Sequence, residues 1–335
     1  MNELRQDPTT GNWVIVAPDR GARPHRVPAY DETHPSGPCP FCPGNEALTP
    51  PELWRLAGAD GGWLIRVVPN KFAALTPHTA RPKPNAEGFA SMPAHGHHEV
   101  IIESPRHEAD LATATVSQVR AVLTACRLRY QTLTSAAGIA LIVIFRNHGS
   151  ASGTSLDHPH SQILATPILP PQVRQRLDFA RQYYDSAESC LHTDVLEREL
   201  LDDRRIVSAG QDLVAFQPYA SAAPFETWIM PSRPQASFGH ASDPVLDELA
   251  GMTRAVLGGL REVLDDPPYN MVIHSAPIGD EDSAYFSWHM QIVPRLGIAA
   301  GFELGTGIAI NPSLPEHTAA VLRTAVARQR IVGAV

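Results

Sequence analysis

Clustered positive charge is what this chain most lacks. Its 27 Lys and Arg are outnumbered by 35 Asp and Glu, for a formal net charge of -8, and the basic residues are spread along the chain. Binding a nucleic-acid backbone by counterion release needs clustered cations. A general nucleic-acid binder is therefore excluded, and any phosphate must be met by local contacts. No apolar run is long enough to span a bilayer, and the opening MNELRQDPTTGNW lacks the basic-then-apolar order of an export signal. No membrane partner and a cytoplasmic location are expected. Cysteine is also scarce: Cys39, Cys42, Cys126 and Cys190 are too few for a disulfide framework in 335 residues, so the close pair reads as metal ligands.

Proline and glycine, by contrast, are plentiful, which implies long ordered loops between short elements. The length allows one large core or two smaller ones. Turn residues at Asp7 to Gly11 precede the apolar run Trp13 to Val16, and the chain then breaks into the loop Arg20-Gly21-Ala22-Arg23-Pro24, so a strand delivers two arginines. Runs at 64–68, 100–102, 139–145 and 162–165 read as further strands. Val116, Val119, Leu123, Cys126, Tyr130 and Leu133 recur at helical spacing, which makes Cys126 a small buried residue on an amphipathic helix. The second half repeats this order, with strands near 212–216, 227–230, 271–274 and 290–293 and a helix from about Pro244 to Val263. Locally, His158-Pro159-His160-Ser161-Gln162-Ile163 aligns with Ser287-Trp288-His289-Met290-Gln291-Ile292, which points to internal duplication.

Cys39-Pro40-Phe41-Cys42 has the spacing that lets two thiolates reach one tetrahedral ion. His107 and His158 are the chosen remaining ligands. Four protein ligands leave no open position, so one structural Zn2+ per chain is expected. In the second half, Cys190 is followed by Thr193 where a second cysteine would fall, and Ser237 and Ser287 stand at about the places of His107 and His158. A lone thiolate cannot hold zinc structurally, so this reads as a degenerate second site.

The segment Asn147 to Gln162 carries the chemistry. A strand ends in a loop of small residues and re-enters a strand through His158-Pro159-His160-Ser161-Gln162. Small residues let backbone N–H groups approach a phosphate, and Asn147, Thr154 and Ser155 add side-chain donors. Strand alternation puts His160 and Gln162 on one face. One nitrogen of His160 can attack phosphorus while a carbonyl holds the other as a donor. Gln162 cannot act as a base but can donate to a phosphoryl oxygen.

These motifs, with Pro69-Asn70-Lys71-Phe72-Ala73-Ala74-Leu75, Ser104-Pro105-Arg106-His107 and Gly301-Phe302-Glu303-Leu304-Gly305-Thr306-Gly307, resemble the galactose-1-phosphate uridylyltransferase family of the histidine-triad superfamily, in order along nearly the whole chain. The resemblance implies an α+β fold of two tandem histidine-triad-like halves, mainly antiparallel sheet with flanking helices. Residues 1–170 would carry the nucleophile and zinc site, and 171–335 the degenerate metal site. It further implies His160 as covalent nucleophile, Gln162 as the group that steadies the intermediate, zinc on Cys39, Cys42, His107 and His158, and nucleotide or phosphate contacts at Arg20, Arg23, Asn70, Asn147, Gly153 and Ser155. Glu303 would contact hexose hydroxyls from the partner subunit of a homodimer.

The expected function is nucleotidyl transfer in galactose metabolism, with UDP-glucose as donor and a hexose 1-phosphate as acceptor. An adenylyl enzyme using ADP-glucose or adenylylsulfate with phosphate as acceptor is the alternative on the same scaffold. A histidine-triad hydrolase is a third reading, which Gln162 in place of a third histidine speaks against. A zinc-stabilised binding protein without activity would leave His160 and the arginine loop as coincidences.

Overall fold

The computed structural model describes residues 1–22, 37–59, 61–77 and 91–332. In chain order it contains strands β1 (Glu3–Gln6), β2 (Trp13–Val16), β3 (Trp54–Ala57), β4 (Trp63–Pro69) and β5 (His97–Ile102), helix α1 (Val116–Thr134), and strands β6 (Leu141–His148) and β7 (His160–Thr166). Helices α2 (Pro171–Ala187) and α3 (Leu191–Asp202) follow, then β8 (Ile206–Ala209), β9 (Leu213–Phe216), β10 (Thr227–Pro231), helix α4 (Asp243–Leu264), β11 (Tyr269–His274) and β12 (His289–Pro294). A short helix α5 (Gly301–Thr306), β13 (Ala309–Asn311) and α6 (Pro315–Val332) complete it.

Ten strands form one sheet in the order β3-β4-β5-β7-β6-β11-β12-β10-β9-β8, with each neighbouring pair antiparallel. β13 lies parallel to β2 in a separate three-stranded sheet with β1. The fold is α+β. Because β6 pairs with β11, the large sheet runs unbroken past the boundary expected near residue 170.

Strand alternation divides the residues between two faces. One face carries Ile101, Ile142, Ile144, Ile163, Ile273 and Ile292, which join α1, α4 and α6 in the main core. Of the helical residues expected, Val119, Leu123, Cys126, Tyr130 and Leu133 are buried there, and Val116 packs half-buried against them. Thr115 caps α1 by accepting from the Gln118 N–H, and Ser242 caps α4 ahead of Pro244 in its first turn. The other face carries His160 and Gln162 of β7 and His289 and Gln291 of β12. α2 and α3 cover its second part: Leu177 and Ala180 pack with Ala276 and Phe286, and Leu196 with Phe216 and Trp228. His289 is thereby sealed, while His160 borders a cavity. No helix among the described residues is long and apolar enough to cross a membrane.

Candidate functional site

The cavity beside β7 has a volume of about 320 Å³ and is lined by Asn147, Thr154, His158, His160, Asp266 and Pro268, among others. β6 delivers Asn147 and β7 delivers His160, while the loop between them turns at two glycines with positive φ. At Gly149 (φ 76°) an added Cβ would lie 2.8 Å from Pro268 Cβ, so a side chain is excluded by space as well as by backbone conformation. Gly153 (φ 89°) ends the single 3-10 turn Ser150–Ser152.

His160 Nδ1 lies 2.8 Å from the carbonyl of His158. A carbonyl can only accept, so Nδ1 carries the proton and Nε2 keeps its lone pair. Burial, assisted by the Arg146 charge and opposed by the His158 carbonyl and Glu103, holds the imidazole pKa below its usual value. The ring is therefore neutral and nucleophilic at pH 7.

Beneath His160 lies a charged network that no sequence motif announced. Arg146 Nε donates to both Glu103 carboxylate oxygens at 3.1 Å, and Ser161 Oγ donates to Glu103 at 2.6 Å. Arg146 also meets the Tyr269 hydroxyl and, at 3.6 Å, Asp110. Burial alone would lower the Arg146 pKa, but Glu103, Tyr269 and Asp110 together hold it above its usual value. The network ties the end of β5 to β6, β7 and β11 directly behind His160. Glu103 and Arg146 each directly follow an apolar strand run, at 100–102 and 139–145, and that position was the only available signal.

The Cys39–Cys42 turn packs Phe41 edge-on against His158 and His160, with ring centroids 6.0 and 5.4 Å away. Cys39, Cys42, His107 and His158 converge so that one donor atom from each lies within 4.8 Å of the others. Sulfur–nitrogen separations are 3.3 Å for Cys42–His107, 3.6 Å for Cys42–His158 and 3.7 Å for Cys39–His158. Tetrahedral bonds of about 2.3 Å to sulfur and 2.0 Å to nitrogen would separate such donors by about 3.5 Å. The donor set thus fits a four-coordinate ion. His158 Nε2 donates to the Ser104 carbonyl at 2.8 Å, which turns Nδ1 toward the thiols. His158 therefore faces two ways: its ring joins the four residues that could hold a metal ion, and its carbonyl orients His160.

A second grouping among the described residues, Asp110, His148 and Asp266, is already paired with cations. Arg261 lies 3.3 Å from Asp110 and 3.9 Å from Asp266. Cys190 and Thr193 line a wider depression of about 680 Å³. Ser237 Oγ accepts from the Gly239 N–H and Ser287 Oγ from the Gln235 N–H.

Other expected residues are placed as follows. Gln162, two residues beyond His160 in β7, meets Asn70, whose Nδ2 lies 3.5 Å from Gln162 Oε1. Ser155 is exposed, and the Thr154 hydroxyl donates to the Leu156 carbonyl instead of standing free for a phosphate. Arg20 is exposed in the 3-10 turn after β2, and Arg23 lies outside the described residues. Glu303 does not line the cavity; its carboxylate accepts from the Ala300 N–H at the start of α5. One contributor was missed: Asn270 of β11 donates to Asn147 Oδ1 at 2.8 Å and to the Ser152 carbonyl at 2.9 Å. With its oxygen so engaged, Asn147 turns its NH2 away from Asn270, free to act as a donor.

On the second part of the sheet sits a buried cluster built around His289, in the segment that aligns with His158–Ile163. His289 stacks on Trp228 (4.3 Å) and His274 (4.8 Å), with His192 5.7 Å away. Arg176 donates to His274 Nδ1, His274 Nε2–H donates to Gln291 Oε1, and Gln291 Nε2 donates to Glu226, a chain of 3.1, 2.9 and 2.8 Å. Burial, then Arg176, pushes His274 down to about 3 and His192 down to about 4.

Residues 1–170 match the family described as galactose-1-phosphate uridyl transferase, N-terminal domain. The chain is 35% identical over 329 residues to an ADP-glucose phosphorylase of Arabidopsis thaliana, covering 96% of this chain and 92% of the relative. It is 29% identical to a galactose-1-phosphate uridylyltransferase of Thermotoga maritima, covering 96% and 98%. Among solved structures, an Arabidopsis thaliana ADP-glucose phosphorylase with bound ADP-glucose superposes with a TM-score of 0.83 at 34% identity, over 96% of this chain and 98% of that one. A uridylyltransferase structure superposes at 0.76 with 31% identity, over 98% and 99%.

Proposed function

From the premise that the chain belongs to the galactose-1-phosphate uridylyltransferase family and is a nucleotidyltransferase, we propose that it works through a covalent nucleotidyl group on His160. The observation that carries this reading is the locked tautomer: Nδ1–H on the His158 carbonyl and a bare Nε2 in a neutral ring beside the cavity. In the first step the Nε2 lone pair attacks the α-phosphorus of a nucleoside diphosphate sugar. An N–P bond forms, the P–O bond to the sugar phosphate breaks, and its electron pair leaves with the sugar 1-phosphate. In the second step a phosphate oxygen of the acceptor attacks the same phosphorus and the electron pair returns to Nε2. Nδ1 keeps its proton throughout, so the His158 carbonyl stabilises the cationic ring of the intermediate. Two in-line displacements give net retention at phosphorus.

Asn147 and Gln162 supply N–H donors to the phosphoryl oxygens, and Arg20 and Arg23 stabilise the charge on the leaving phosphate. Asn70, Gly153 and Ser155 complete the nucleotide contacts. Cys39, Cys42, His107 and His158 hold one structural Zn2+, which when bound cross-links the turn to the strand that carries the nucleophile. Residues 1–170 and 171–335 are read as tandem halves. A homodimer is supported by apolar Ile298, Phe302 and Leu304, exposed around Glu303; a partner covering them would bring Glu303 to a hexose.

UDP-glucose with hexose 1-phosphate is the first substrate pair. ADP-glucose with phosphate is the second, supported by the 35% identity to an ADP-glucose phosphorylase beside the 29% to a uridylyltransferase. Initial rates with UDP-glucose plus galactose 1-phosphate, set against ADP-glucose plus phosphate, decide between them. Exchange with neither pair would remove the nucleotide-sugar assignment.

A further inference from the structure

β5 runs antiparallel to β7 with His98 opposite Leu164, Val100 opposite Gln162 and Ile102 opposite His160. Residues paired across a sheet share a face, so His98 stands diagonally beside Gln162 on the face that carries the nucleophile. Gly96 permits this register. Its φ is 149°, and a Cβ there would lie 2.1 Å from the Ala165 carbonyl oxygen, so only glycine lets β5 start this close to β7.

The hydrogen bonds of the His98 ring settle its tautomer. The Ala74 N–H, which can only donate, points at Nδ1 at 3.2 Å, so Nδ1 is the acceptor and Nε2 carries the proton. Nε2–H then donates to Gln162 Oε1 at 2.8 Å. Asn70 acts in the same sense: its own oxygen accepts from the Phe72 N–H at 2.8 Å, and its NH2, 3.2 Å from the already protonated His98 Nε2, can donate only to the same Gln162 oxygen, at 3.5 Å. Two donors on Oε1 leave only one orientation for the Gln162 amide. A flipped amide would set its NH2 against both donors and turn its carbonyl to the reacting phosphoryl group, where an acceptor repels the anionic oxygens.

We propose that His98 is a positioning residue for nucleotidyl transfer: its Nε2–H holds the Gln162 amide oxygen so that the Gln162 NH2 is presented to the phosphoryl group on His160. This rests on the reading of His160 as nucleophile, and the test separates the two. The rate constant of nucleotidylation is measured by intact mass in single turnovers, with ADP-glucose and with UDP-glucose, for His98→Phe, His98→Gln, Gln162→Ala, the double variant His98→Phe/Gln162→Ala, and His160→Asn. Loss of one aimed donor lowers such a rate about 100-fold, and His98→Phe and Gln162→Ala should both do so. His98→Gln, whose amide can place an N–H where Nε2–H stood, should stay within about threefold of wild type, which also guards against a folding defect in His98→Phe. The double variant should be no slower than Gln162→Ala alone, because His98 acts only through that side chain. Multiplied losses in the double variant, or a full rate in His98→Phe, would overturn the positioning role alone. An adduct on His160→Asn would instead overturn the nucleophile reading, and this proposal with it.

Discussion

Acidification should unfold this protein through the sealed histidines before it titrates most carboxylates. His192 and His289 are buried and His274 is half-buried: α2 and α3 lie over this face of the sheet, and Trp228 of β10 stacks on the His289 ring. The charged and titratable groups around them are Arg176 from α2, Glu226 ahead of β10, and the three rings themselves. Burial depresses His274 to about 3 and His192 to about 4, and holds His289 well below its usual value. In the unfolded chain each returns to about 6.5. Because the folded values are the lower ones, the unfolded state binds more protons between pH 6.5 and 4. The neutral-ring stability is thus full above pH 6.5 and is lost as pH falls toward the folded values. From pH 6.5 to 5.5 the loss is about 1 kcal/mol per ring, or about 3 kcal/mol for the three. Urea unfolding at the two pH values, with zinc saturating, measures it. Other groups titrate too, so the decisive comparison is with His289→Phe, which keeps a stacked ring and removes one titration. Its loss over the same interval should be smaller by about 1 kcal/mol. An equal loss in wild type and variant would refute the account of the cluster.

The remaining predictions concern the cavity and its supports. Metal analysis should give close to one zinc per chain, and chelation should lower the melting temperature and the rate of nucleotidylation together, since the His158 ring and carbonyl serve both sites; a metal-free protein with full rate would contradict this. Gln162→His should still form the adduct but divert more of it to water, seen as a rise in free nucleoside monophosphate when acceptor is present; an unchanged partition would remove the role given to Gln162. Gly149→Ala should destabilise by about 1–3 kcal/mol, since both the positive φ and the contact with Pro268 oppose it; an unchanged urea midpoint would show that the loop relaxes freely.

Much of this was legible in the residues. β2 spans Trp13–Val16 as the apolar run foretold, and β4, β5, β7, β9, β10, β11 and β12 each overlap an expected strand, because half-buried antiparallel strands write their apolar pattern directly. α1 and α4 were legible for the corresponding reason at period 3.6. α2, α3 and α6 were not: α2 buries only Leu177 and Ala180, too sparse a stripe to stand out from polar sequence. The Cys39–Cys42 pair and His158-Pro159-His160 pointed to their site because the chemistry lies in local spacing. His98, Asn270, Glu103 and Arg146 could not be found that way, since each meets its partners on a neighbouring strand and register is a property of the fold. The His192–His274–His289 cluster assembles from three distant segments, of which only that of His289 stood out, through its alignment with His158–Ile163.

The central claim is that His160 carries the nucleotide, and intact mass reports on it directly. Wild-type protein is incubated with ADP-glucose or UDP-glucose without acceptor, digested, and the modified peptide mapped, with His160→Asn in parallel. The account predicts a single added nucleoside monophosphate on His160, discharged when phosphate or hexose 1-phosphate is added, and no addition to His160→Asn at retained fold and zinc content. A wild-type protein that turns over donor while its mass never changes, or a His160→Asn variant that becomes labelled, would contradict it.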